Sequence, residues 1–277
     1  MPAPVLVLAA IASVQIGAAL AKQLFATAGT GGTVLLRLAL AAVLLLALTR
    51  PAVGAIRPAH RRLAVLFGLV LGGMNLAFYE AAARIPLGAA VTVEFLGPLA
   101  VAVVGSRRLL DGAWILLAAG GVLALTEGGS GPLDPTGVLL AGVAGACWAG
   151  YILLGSRLGA VFPGSAGLAL GCAVGAVAVA PYGILDGGSA LLAPSVLAAG
   201  LGVAVLSSAL PYSMEIAALR RMSTAVFGVL MSIEPAMAAL AAFAILGERL
   251  APRQLAGVVL VCLASAGSTL SRRGTAT

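Results

Sequence analysis

Two glutamates sit where the chain is otherwise oily. Glu94 lies in VTVEFLGPLA (91–100) and Glu234 in MSIEPAMAALAAFAILGERL (231–250), each followed closely by a proline, Pro98 and Pro235. An ionised side chain at the centre of a bilayer costs about 2.5–3.5 kcal/mol on insertion scales. Each glutamate must therefore face a polar cavity, find a donor, or carry a proton. Apolar surroundings disfavour the charged form of a carboxyl, so such a group can take up a proton on one face of a membrane and release it on the other. It can also pair with a substrate ammonium. A proline inside a helix frees the backbone carbonyl one turn earlier, which lipid tolerates only where neighbouring groups or cavity water satisfy it. A carboxylate beside a broken helix suits a polar cavity. The plainer alternative is a carboxyl that bonds a neighbouring helix and fixes packing.

Other polar residues interrupt the apolar runs. Lys22 and Arg37 either snorkel toward a headgroup region or serve a site. Gln15 and Asn75 are mid-helix amides that can line a pathway or bridge helices. Tyr79 and Tyr212 read as cavity walls or interfacial anchors, and Glu80 and Glu215 lie near opposite faces. A zwitterionic ligand needs an anion for its ammonium, which Glu94 or Glu234 can supply. Its carboxylate needs a donor, from Lys22, Arg37, Gln15 or Asn75. The expected substrate-binding set is Gln15, Lys22, Arg37, Asn75, Tyr79, Glu94, Tyr212, Glu215 and Glu234, with Glu94 and Glu234 coupling protons. An enzyme is disfavoured. The single His60 falls in a loop, no Asp lies mid-helix, and no nucleophile–base constellation is present. Cys147, Cys172 and Cys262 lie inside apolar runs and read as core residues rather than a metal or disulfide framework. ATP-driven transport would need a P-loop ending GK[ST], and none occurs. No cofactor is expected.

The elements that position these residues follow from composition. The 277 residues are 61% hydrophobic and 9% charged, against about 25% charged in a soluble domain, and mean hydropathy is +1.14. Lipid is the main solvent. A spanning helix needs roughly 20 apolar residues. Ten such runs lie near 5–24, 33–49, 63–83, 87–105, 110–126, 136–155, 164–184, 196–216, 224–246 and 253–271. The first could be a secretory signal, but MPAPVLVLAA has no basic n-region. The net charge of +7 is arranged for topology rather than nucleic acid. With the N-terminus inside, one side holds Arg50, Arg57, Arg61, Arg62, Arg107, Arg108, Arg157, Arg220, Arg221, Arg272 and Arg273, and the other only Arg84, Arg249 and Arg253. That is the positive-inside asymmetry, with both termini cytoplasmic.

The chain reads as duplicated. Glu94 with Pro98 corresponds to Glu234 with Pro235, Tyr79-Glu80 to Tyr212 and Glu215, and ASVQIG (12–17) to GACWAG (145–150). The expectation is an all-α membrane protein of ten transmembrane helices in two five-helix repeats, 1–127 and 135–273, joined at the Gly/Pro-rich EGGSGPLDPTG (127–137). Five is odd, so the second repeat enters the membrane inverted, as in many secondary transporters with a midplane site. The alternative is a bundle with chance similarities. Gly167, Gly171 and Gly175 form a close-packing face, expected to be used within the chain.

SSALPYSMEIAALRRMSTAVFGVLMSIEPAMAALAAFAILGERL (207–250) resembles the second repeat of the EamA-type drug/metabolite transporter superfamily. ASVQIGAALAKQLF (12–25), RLAL (37–40), LGGMN (71–75), IPLGAAVTVEFLGPLAVA (85–102) and GACWAGYILLGSR (145–157) resemble its threonine/homoserine exporter subfamily. Glu80 departs from the family pattern. The resemblance implies ten helices, a bacterial inner-membrane location and export of small neutral amino acids against protons. The implied partners are the amino acid, protons and membrane lipid but no nucleic acid, in a monomer or homodimer. Export of another metabolite or a drug is the runner-up; a non-transporting scaffold or receptor gains nothing from buried carboxylates. In a background without the native cysteines, cysteines introduced at Arg57 and Ser130 should label from opposite sides of intact cells. Same-side labelling would contradict both the helix count and the inverted repeat.

Overall fold

Helices make up nearly all of the computed structural model, which describes residues 2–50, 57–104, 109–127, 133–219, 221–222 and 224–271. Arg107, Arg108, Arg220, Arg272 and Arg273, residues 128–132 of the mid-chain turn, and the Tyr212 side chain lie outside the described residues. In chain order the α-helices are α1 (Ala3–Thr49), α2 (Pro58–Arg84), α3 (Leu87–Glu94), α4 (Leu96–Val104), α5 (Leu109–Glu127), α6 (Pro135–Val161) and α7 (Ala166–Gly187). They continue as α8 (Pro194–Ala204), α9 (Leu210–Leu219), α10 (Thr224–Met231), α11 (Glu234–Ala241) and α12 (Pro252–Ser271). Among the described residues, six stretches are long and apolar enough to cross a membrane: Ala3–Thr49, Pro58–Arg84, Pro135–Val161, Ala166–Leu192, Val226–Leu246 and Pro252–Leu270. Shorter apolar helices run Leu87–Val101, Gly112–Leu125 and Pro194–Ala209. The protein is an all-helical, multi-pass membrane protein.

The first stretch is two limbs, not one rod. Gly29 has φ 64° and ψ 172°, a conformation that only glycine adopts readily. A straight helix would separate Ser13 from Arg37 by about 36 Å. Yet Ser13 Oγ donates to the carbonyl of Leu206 and Arg37 Nη2 to that of the next residue, Ser207. The chain must therefore turn back at Gly29. The second limb starts with a cap: the Gly31 N–H donates to Asp186 Oδ2 at 2.8 Å, satisfying one orphan donor of a helix N-terminus.

Two further helices are broken at the residues singled out above. Pro98 has no N–H to offer the Glu94 carbonyl, and the helix is interrupted at Phe95, between α3 and α4. Pro235 likewise leaves the Met231 carbonyl without its partner. A turn at Ser232-Ile233 separates α10 from α11, and Pro235 sits in the first turn of α11, where its ring is accommodated. A π-helical segment, Val205–Ala209, joins α8 to α9, and another, Ala242–Leu246, follows α11.

Close crossings of small residues hold the bundle. Gly175 on α7 lies against the Gly68 carbonyl and Gly72 amide of α2, and Gly171 against Phe67; the glycine face is used within the chain. Where α3 and α4 meet α6, a Cβ added at Gly145 would lie 2.6 Å from the Glu94 carbonyl oxygen, and one at Gly97 would collide with the Gly145 backbone. Nothing lies within 4 Å of the corresponding position at Gly142, on the same helix. Gly145→Ala should therefore lower stability by about 1–3 kcal/mol through overpacking. Gly142→Ala should leave it unchanged or raise it. Thermal midpoints of the two variants in detergent check this ordering.

Candidate substrate cavity

The broken helices converge on a cavity of about 240 Å³. Both limbs of α1 contribute to it, through Gln15 and Arg37. Asn75 of α2, Glu94 of α3, Trp148 and Tyr151 of α6, and Cys172 of α7 line it as well. Ser207, Glu215 of α9, Met231 and Glu234 are among the remaining lining residues. Glu94 is the last residue of α3 and Glu234 the first of α11. Each carboxyl thus sits at a helix break, and both are buried. Gln15 Nε2 donates to Glu234 Oε1 at 3.1 Å. Ser232 Oγ donates to the Gly228 carbonyl (3.0 Å) and lies 2.9 Å from Ser265 Oγ, tying the α10–α11 joint to α12.

Six of the nine residues expected from sequence line this cavity: Gln15, Arg37, Asn75, Glu94, Glu215 and Glu234. Tyr212 lies, by its side chain, outside the described residues. Lys22 and Tyr79 are placed elsewhere. Tyr79 is buried behind Arg37, whose Nη1 donates to its hydroxyl at 3.2 Å and whose guanidinium carbon stands 5.7 Å from its ring centroid. Of the amides, Asn75 Nδ2 donates to the Leu71 carbonyl of its own helix at 2.8 Å. Sequence reasoning missed Ser207, Trp148, Tyr151 and Cys172 as lining residues. Only the paired hydroxyls of SSALPY (207–212) hinted at it, and serines in apolar helices serve packing equally well.

Lys22 belongs to a polar cluster at one end of the bundle. Its Nζ pairs with Glu248 Oε1 at 2.7 Å and donates to the Ile85 carbonyl at 3.1 Å. The other oxygen, Glu248 Oε2, accepts the Leu87 N–H at 2.7 Å and so caps α3. One ion pair thereby joins the first limb of α1, the α2–α3 junction and the chain after α11. Nearby in the chain, Glu80 accepts from Thr30 Oγ1, from the Tyr182 hydroxyl (2.9 Å) and from Arg84 Nη1 (2.5 Å), linking α2 to the Gly29 turn and to α7. Lys22 is seven residues, about 10 Å of helix, beyond Gln15. The cavity wall extends the other way, through Tyr151, Leu168, Pro211 and Glu215.

A multi-pass helical bundle with broken helices around a mostly apolar cavity that holds a few buried polar groups is the arrangement of a transporter. The profile of the EamA-like transporter family matches residues 135–270, and relatives match along nearly the whole chain. The chain belongs to this family. A protein of Escherichia coli (strain K12) named "Threonine/homoserine exporter RhtA" is 48% identical over 273 residues, 97% of this chain and 92% of that protein. A protein of the same name from Salmonella typhimurium (strain LT2) is 48% identical over 275 residues, 98% of this chain and 92% of that one. A crystal structure 20% identical in sequence superposes with a TM-score of 0.69 over 99% of both chains, a likeness of fold.

The Glu248 carboxylate has two functions that substitution can separate. Glu248→Gln keeps an acceptor for the Leu87 N–H but loses the charge opposite Lys22; Glu248→Ala loses both. The thermal midpoint should fall in the order wild type, Gln, Ala. Equal midpoints for Gln and Ala would leave the capping bond without weight.

Proposed function

We propose that the protein exports small neutral amino acids of the threonine and homoserine kind across the bacterial inner membrane, by proton antiport with alternating access. The observation that carries this reading is the small cavity walled by Glu94 and Glu234 at two helix breaks. Relatives 48% identical along almost the entire chain carry the name of a threonine/homoserine exporter. The cavity volume of about 240 Å³ is below the roughly 300–1,000 Å³ of sites for drug-sized ligands, which favours an amino acid over a drug.

The proposed architecture is ten crossings in two inverted repeats, 1–127 and 135–273. Counting the two limbs of α1, pairing α3 with α4, α8 with α9 and α10 with α11, and adding the five remaining helices gives ten. Both termini are cytoplasmic on this reading, by the arginine asymmetry. The Lys22–Glu248 and Glu80 clusters then close the outer end while the cavity extends inward. Discontinuous helices at a repeat interface are where secondary transporters bind substrate. The substrate-binding assignment keeps the six lining residues, with Glu94 and Glu234 as proton carriers. Substrate ammonium and proton compete for a buried carboxylate, so binding one expels the other. Each direction of rocking then carries one of the two.

Inside-out vesicles test this directly. An acid lumen should accelerate uptake of labelled threonine and homoserine. Glu234→Gln keeps size and hydrogen bonding but cannot ionise, and should abolish the gradient-driven uptake while leaving the protein inserted. Pro235→Ala should do less. Wild-type rates with unchanged pH dependence in both Glu234→Gln and Glu94→Gln would reduce the carboxyls to interhelical packing groups.

A further inference from the structure

Four buried side-chain atoms among the described residues lack a hydrogen-bond partner: Gln15 Oε1, Arg37 Nε, Ser207 Oγ and Glu234 Oε2. All four residues line the central cavity. Native proteins leave few buried polar atoms unpaired, and each such atom calls for an explanation. Here the four sort by chemistry. The Gln15 and Glu234 oxygens accept, beside a carboxyl. Arg37 Nε–H can only donate, and the Ser207 hydroxyl can donate beside the guanidinium.

The other candidate donors are engaged. Lys22 is held by Glu248 and the Ile85 carbonyl. Gln15 uses one of its two amide N–H groups to hold Glu234, and its Oε1 is left as an unpartnered acceptor beside that carboxyl. Arg37 is clamped by its terminal nitrogens, to the Tyr79 hydroxyl and the Ser207 carbonyl, which leaves Nε over. It has no ion-pair partner among the described residues, a costly state for a cation inside a membrane bundle. The π segment Val205–Ala209 supplies both the Ser207 carbonyl that holds Arg37 and the hydroxyl beside it. A Cβ at Gly17 would collide with Ser207 Oγ, so that glycine makes the room in which the hydroxyl sits.

We propose that Arg37 Nε and the Ser207 hydroxyl receive the α-carboxylate of an amino acid, while Gln15 Oε1 and Glu234 Oε2 receive its ammonium. Ser207 is thereby a specificity-determining residue for the carboxylate end. The assignment rests on the central cavity's being the substrate site, as proposed above.

L-threonine and L-threonine amide, which keeps the ammonium but has no carboxylate, separate the two poles. Wild-type protein in inside-out vesicles should prefer the acid by about tenfold, the scale of one charge-assisted hydrogen bond. Ser207→Ala should raise KM for threonine with kcat unchanged, and weaken the amide less, because a neutral carbonyl accepts more weakly than a carboxylate. Arg37→Lys, which keeps the charge but not the Nε–H, should narrow the same preference. Because no protein group pairs with Ser207 Oγ, Ser207→Ala should also hold or raise the thermal midpoint measured without substrate. A wild-type KM for threonine in Ser207→Ala, or equal weakening of acid and amide, overturns the assignment. Failure of the wild type to transport threonine at all overturns instead the reading of function on which it rests.

Discussion

Glu234 places an ionisable group inside a bundle solvated by lipid, with one carboxyl oxygen bonded by Gln15 and the other without a partner. Water cannot relieve that arrangement on the lipid side, and moving an ionised group into hydrocarbon is costly. The surrounding fold accommodates it. The chain breaks at Ser232-Ile233 so that Glu234 begins a helix, where the positive end of the helix dipole favours an acid. Glu94 ends the opposing short helix at the Pro98 break. The Gly97–Gly145 crossing lets α6 come close enough to wall the space between them.

The same constraint accounts for the division of labour among the cations. Lys22 and Arg84 have carboxylate partners in Glu248 and Glu80 and belong to the clusters that pin one end of the bundle. Arg37 has an aromatic ring and two oxygens but no carboxylate among the described residues, and it faces the cavity. On the proposed account, the paired cations open and close one end. The unpaired one waits for a carboxylate that arrives with the substrate.

Much of this was legible in the sequence. Apolar runs separated by Gly, Pro and Arg announced a helical membrane protein, because lipid leaves the backbone few alternatives to helix. Glu94 and Glu234 stood out by their cost alone. What the sequence could not carry was pairing across long separations. Glu248 is apolar-run punctuation until it meets Lys22 and caps α3, and Tyr79 looked like a cavity wall but stands behind Arg37. Gln15 was readable as a polar residue in an oily helix, but its bond to Glu234, more than two hundred residues away, was not. Ser207 is ordinary by type. Its significance comes from a π segment that no periodicity in the sequence marks.

Competition between a proton and an ammonium at Glu234 is the centre of this account, and it can be measured without a membrane. Threonine titrated calorimetrically into the purified protein, in buffers of matched pH but different ionisation enthalpy, reports the protons exchanged on binding. The account predicts release of about one proton per threonine bound, as linkage requires, and none in Glu234→Gln. Threonine binding with the same heat in every buffer, from mildly acidic to neutral pH, would contradict it.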